Sequence, residues 1–90
     1  MAKVYRWDPE KNALLLQTHG FGFEEVVDAI DANRVITDIA NPSLHHPDQR
    51  LLIVEINGYA IGVPYVSDGD TMFFKTAFQS RKLKRIYLEH

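Results

Sequence analysis

The chain has 90 residues, room for one small domain, and 46% of them are hydrophobic with ten aromatics, so it can build a core and is not expected to be disordered. It has no cysteine, which excludes disulfides, thiolate metal sites and thiol nucleophiles, and its short apolar runs leave no transmembrane span and no secretory signal core. The formal charge of −2 excludes a uniformly basic nucleic-acid binder but conceals a division: residues 1–70 carry five cations against eleven acids, a balance of −6, whereas residues 71–87 carry five cations and no acid, a balance of +5.

Lys3 to Trp7 alternates and holds β-branched and aromatic residues, which predicts a short strand. Asp8-Pro9-Glu10 then starts a helix: Asp8 can cap the free N–H groups, Pro9 suits the first position and Glu10 complements the dipole. That helix runs through Leu14, Leu15 and Leu16 and should stop near Gly20. In the next helix Phe23, Val26, Val27 and Ile30 share one apolar face, with Glu24 and Glu25 in the first turn.

Arg34 to Ile39 reads as a strand, and Asn41 to Gln49, with two prolines and no periodicity, as a loop. Arg50 to Ile56 is a strand with Leu52, Val54 and Ile56 on one face and Leu51, Ile53 and Glu55 on the other. Asn57-Gly58 predicts a tight hairpin. The return strand, Tyr59 to Val66, alternates Tyr59, Ile61, Val63 and Tyr65 against smaller residues. Pro64 within it should lie where a missing N–H has no partner, or at a bulge. Ser67 to Asp70 is a turn, Thr71 to Ala77 a further strand, and Ser80 caps a last short helix bearing Leu83, Ile86 and Tyr87.

The order β-α-α-β-β-β-β-α implies an α+β fold: an antiparallel sheet, because no crossover helix separates the later strands, with two N-terminal helices and a short C-terminal helix covering one face. The domain is expected to span residues 1–87. Leu88-Glu89-His90 reads as the junction of a C-terminal polyhistidine tag.

Chemistry-bearing residues concentrate at the basic end. Arg81 and Lys82 occupy the first turn of the last helix, where cations oppose the macrodipole at a cost of some tenths of a kcal/mol each. With the Ser80 hydroxyl, the free N–H groups and Lys75 on the strand before, they form a candidate anion site, extended by Lys84 and Arg85. Trp7 reads as a core residue. His45 and His46 are adjacent in the loop and make poor co-ligands, so no metal site and no cofactor is expected. His19 stands at a helix end, where it can satisfy the last carbonyls.

Trp7-Asp8-Pro9-Glu10-Lys11, then His19-Gly20 and Phe23-Glu24-Glu25-Val26, resembles the opening of BrnT-family toxins. Asp48-Gln49-Arg50 ahead of an apolar strand is similar to that family's approach to its first hairpin, and Ser80-Arg81-Lys82 with a basic helix ending in Tyr87 matches its close. The chain departs from the pattern at Leu15 and Thr18, where Asn and Lys are usual, at Phe78, where Arg commonly follows Ala, and at Pro64, where His is frequent. The resemblance implies a RelE-like fold and a cytoplasmic ribonuclease toxin of a bacterial type II toxin–antitoxin pair. It further implies metal-free RNA cleavage, a ribbon-helix-helix antitoxin as partner, operator DNA met only through that antitoxin, and no membrane.

Attack of a 2′-hydroxyl on the neighbouring phosphate needs a base, an acid and cations. His19 is then the acid/base candidate and Arg50, Lys75 and Arg81 the phosphate-stabilising candidates. Ser80, Lys82, Lys84 and Arg85 would bind RNA, and Tyr65 or Tyr87 could stack on a base. The alternative expectation is a catalytically inactive, toxin-like protein-binding module that acts only in an antitoxin or co-repressor complex. The acidic residues 1–70 and the missing Arg after Ala77 favour it.

Overall fold

The computed structural model describes residues 3–41 and 48–88. The fold is α+β, in the order β1 (Val4–Trp7), α1 (Pro9–His19), α2 (Phe23–Asp31), β2 (Val35–Ala40), β3 (Arg50–Ile56), β4 (Tyr59–Asp68), β5 (Thr71–Phe74), β6 (Phe78–Gln79) and α3 (Arg81–Tyr87). The local signals act as expected. Asp8 accepts a hydrogen bond from the Glu10 N–H at 2.9 Å, and α1 ends on Gly20 in the left-handed conformation. Asn57 and Gly58 both hold positive φ, 54° and 82°, so β3 and β4 fold back through the tight turn that such a pair favours.

The sheet runs β1-β5-β4-β3-β2, with β6 also on β4. From β2 to β5 each strand pairs antiparallel with the next, but β1 lies parallel to β5, so the sheet is mixed. The helix pair α1–α2 between β1 and β2 carries the chain from one edge of the sheet to the other.

The expectation that all helices cover one face is corrected. Leu52, Val54, Ile56, Ile61, Val63 and Tyr65 pack with Leu15 of α1 and Phe23, Val26 and Ala29 of α2. On the opposite face Leu51, Ile53 and Ala60 pack with Leu83 and Tyr87 of α3 and with Leu88. The physical reason lies in β3, which is apolar on both faces, so each face must be shielded from water. Leu88, read as part of a tag junction, closes α3 by donating its N–H to the Lys84 carbonyl at 2.8 Å and packs into this second cluster.

Trp7 sits where predicted, its ring 5.7 Å from Phe23 and 6.2 Å from Phe74. Phe74 also faces Tyr5 at 5.6 Å and Phe23 at 5.8 Å, so four aromatic rings join β1, β5 and α2.

The strand expected over Thr71–Ala77 is broken. Tyr65 pairs with Phe74 and Gly62 with Phe78, so Lys75, Thr76 and Ala77 oppose only Val63 and Pro64. One extra residue on one side is a bulge. Pro64 explains its place. The Lys75 N–H donates to the Pro64 carbonyl at 2.8 Å, so the side of Pro64 that would offer an N–H faces this gap, where none can be given. The bulge also reverses the alternation: Phe74 points to the α1–α2 face, whereas Phe78 lies against Gly62 on the α3 face.

Candidate functional site

Where β6 runs into α3, the Ser80 N–H donates to the Ala60 carbonyl at 3.2 Å and fixes the start of the helix beside the β3–β4 hairpin. The junction encloses an open cavity of about 280 Å³ lined by Tyr59, Gln79, Ser80, Arg81, Lys84 and Arg85. No acid lines it. The Lys84 ammonium lies 5.0 Å from the centroid of the Tyr59 ring, which is 45% exposed. Among the described residues, Arg81 and Arg85 have no carboxylate within ion-pair distance. Two guanidiniums, an ammonium and hydroxyls in one concavity make an electropositive receptor for an anion.

Four of the residues singled out in the sequence, Ser80, Arg81, Lys84 and Arg85, therefore meet in one groove. The helix end contributes less than expected. The Ser80 hydroxyl accepts from the Leu83 N–H at 3.1 Å, a satisfied cap, and α3 has only seven residues. The attraction for anions rests on the side chains. Lys82 is exposed but does not line the groove. Lys75 stands at the bulge, its ammonium 4.7 Å from the Phe73 centroid.

The other candidates lie elsewhere. His19 is exposed at the end of α1, its ring 5.7 Å from that of Phe21 and tilted by 40°. Since α1 packs on the face opposite α3, the imidazole and the groove belong to different sides of the sheet. Arg50 is engaged: its Nε donates to Asp38 Oδ1 at 2.9 Å and its terminal nitrogen to the Asp38 carbonyl at 3.1 Å. The hydrogen bond to Asp38 raises the Arg50 pKa, and the paired carboxylate competes with a phosphate for the guanidinium.

Tyr65, expected as a base-stacking residue, is built into the core at 3% exposure and offers no open ring face. Its hydroxyl donates to Asp38 Oδ2, and burial, reinforced by the carboxylate, pushes its pKa up to about 12. Tyr87 likewise packs against the second core cluster. His19, Arg50, Lys75 and Arg81 are thus not assembled into one catalytic centre. His45 and His46 lie outside the described residues, among which no three metal-ligating side chains gather. No helix among the described residues is long and apolar enough to cross a membrane.

Three participants escaped the sequence. Tyr59 and Gln79 reach the groove only because the β3–β4 hairpin and the β4–β6 register bring them beside Ser80. Asp38 joins Arg50 and Tyr65 across twelve and twenty-seven residues of chain, a pairing that no local spacing announces.

No protein-family model matches the chain, and neither a curated protein nor a solved structure matches it.

Proposed function

We propose that the chain is a ribonuclease toxin of a bacterial type II toxin–antitoxin pair, of the BrnT kind, which cleaves RNA without a metal in the cytoplasm and is neutralised by a ribbon-helix-helix antitoxin. The groove carries this reading: Arg81, Lys84 and Arg85 face one concavity, beside the exposed ring of Tyr59. Guanidiniums there would hold the non-bridging phosphate oxygens and offset the charge that grows as the 2′-hydroxyl attacks. Within the groove, Tyr59 and Lys84 are the side chains able to take or give a proton at the attacking and leaving oxygens, since arginine stays charged. Operator DNA enters only through the antitoxin.

One observation favours the second reading, an inactive module that only binds an antitoxin. The imidazole of His19 and the cation of Arg50 lie across the sheet from the groove, which no histidine among the described residues lines. Incubation of the purified protein with labelled RNA in the presence of a chelator separates the two. The first reading expects cleavage that survives the chelator and falls with Arg81→Glu, with growth arrest on expression relieved by the same substitution. Intact RNA together with unimpaired growth refutes it in favour of the second.

A further inference from the structure

The α3 face of the sheet is not wholly covered by α3. On β4 the residues of that face are Ala60, Gly62, Pro64 and Val66 in succession, and only Ala60 belongs to the cluster under the helix. Opposite the other three stand Phe78 against Gly62, Lys75 against Pro64 and Phe73 against Val66. Steps of two residues along a strand place them about 7 Å apart. Both residues are partly open to solvent, Phe73 at 36% and Phe78 at 38%, and the Lys75 ammonium lies over the Phe73 ring. This row leads straight into Gln79, Ser80 and Arg81, the near wall of the groove.

Two features give the row its form. The bulge at 75–77 turns Phe78 out of the core face and onto the side of Phe73 and Lys75. Gly62 then seats it: a Cβ at Gly62 would lie 2.6 Å from Phe78 Cζ, so the absence of a side chain lets the ring rest on the strand backbone with its outer face free. Gly62 needs no left-handed conformation, so close approach of the ring is what the glycine provides.

We propose that Phe78 and the Lys75–Phe73 pair form a track for single-stranded RNA, Phe78 stacking a base and Lys75, held over the Phe73 ring, meeting the phosphodiester chain, which delivers the strand into the groove. The inference rests on the ribonuclease reading and deepens it by naming single-stranded RNA as the form bound and the sheet face as its path. Rings alternating with a cation suit this occupant. Every base has a π-face to stack, each linkage carries a phosphate, and a sheet face with exposed aromatics commonly takes two or three bases. A duplex, whose bases are already stacked on one another, gains nothing from the rings.

The test is titration of the intact chain into a short single-stranded RNA carrying 2-aminopurine, read by anisotropy for affinity and by fluorescence quenching for stacking. Phe78→Leu, which stays apolar at a half-exposed position, is expected to weaken binding about tenfold and to remove the quenching. Phe78→Tyr keeps the ring and should keep both signals. Gly62→Ala leaves Phe78 in the chain but unseats it, and should reduce quenching in a protein whose circular dichroism is unchanged. Binding that falls with Arg81→Glu but is untouched, in affinity and quenching, by Phe78→Leu overturns the track and leaves the groove standing. If Phe78→Leu spares RNA and instead weakens a protein partner, the rings are a protein-docking patch and the track is overturned. Wild-type protein that binds no RNA overturns both readings.

Discussion

The three cations of the groove fix how RNA binding must respond to salt. Arg81, Lys84 and Arg85 line one cavity, so an RNA of about three nucleotides, too short to reach Lys75 as well, meets about three positive charges there, each releasing ~0.7 of a counterion. The slope of log affinity against log salt should then be about −2, and a fourfold rise in salt should weaken binding about twentyfold. Arg85→Gln removes one charge on an exposed helix face, where the change costs little stability. Its slope should fall to about −1.4 and the same rise in salt should cost only about sevenfold. Asp38→Asn, on the other side of the sheet, serves as the control, since it alters net charge by the same amount in the opposite sense without touching the groove. Fluorescence anisotropy across a salt series reads both slopes. A wild-type slope near zero, or one that Asp38→Asn shifts as much as Arg85→Gln does, would refute the placement of the phosphate contacts in the groove.

Further outcomes follow from the packing and from Tyr65. Phe74→Ala removes a ring that is 1% exposed and touches Tyr5, Trp7 and Phe23, so it should cost about 3–5 kcal/mol and sharply lower the urea midpoint. A shift no larger than that of a surface substitution would show that the aromatic group is not part of the core. The Tyr65 proton is held to about pH 12 in the folded chain against 10.0 for the free side chain, so its contribution is intact below pH 10 and lost as pH rises toward 12. Two units correspond to about 2.7 kcal/mol, reduced to roughly 1–2 by the exposure of Asp38. Wild-type protein should lose that much more stability than Tyr65→Phe between pH 9 and pH 12 in urea unfolding; equal losses would exclude the linkage. Gly62→Ala sets a strand-propensity gain of about 0.5–1 kcal/mol against crowding of about 1–3, so a net destabilisation of about 1 kcal/mol is expected by thermal melting, and a stabilised variant would contradict the seating of Phe78.

What the sequence disclosed is what local chemistry controls. Asp8, Pro9 and Gly20 bound α1, Asn57-Gly58 sets the hairpin, and the spacing of Phe23, Val26 and Ile30 gives the buried side of α2. Ser80, Arg81, Lys84 and Arg85 were legible as a group because they fall within six residues of one another. The parallel pairing of β1 with β5 was not, because it depends on where α1 and α2 return the chain rather than on any feature of Lys3 to Trp7. Arg50 illustrates the same limit. Its position at the start of β3 fits a free cation, and the nearby carboxylates of Asp48 and Glu55 look like its natural partners. The antiparallel register of β2 and β3 instead puts Asp38 within reach, and a paired guanidinium replaces an available one.

Pro64 connects these scales. It stands in a central strand, where a missing N–H would normally break a ladder. The chain answers with one surplus residue opposite it, and that residue inverts the facing of everything from Phe78 onward. With regular pairing, Phe78 would share the face of Phe74 and compete with Trp7 and Phe23 for the core, and Ser80 would leave the sheet in a different direction. The inverted facing sets Phe78 on Gly62 and starts α3 over Ala60, which brings Arg81, Lys84 and Arg85 to Tyr59. A donor restored at that point should therefore disturb the groove more than the fold. Pro64→Val supplies an N–H and a strand-favouring side chain at the cost of little volume. If the proline holds the bulge, the variant should fold with comparable secondary structure while its RNA affinity drops and the backbone amides of 75–81 shift in NMR spectra far more than those of α1 and α2. Amide shifts confined to the immediate neighbours of residue 64, with RNA affinity unchanged, would mean that the bulge is held by Ala77 and the β6 pairing instead, and that the proline merely occupies a gap made for other reasons.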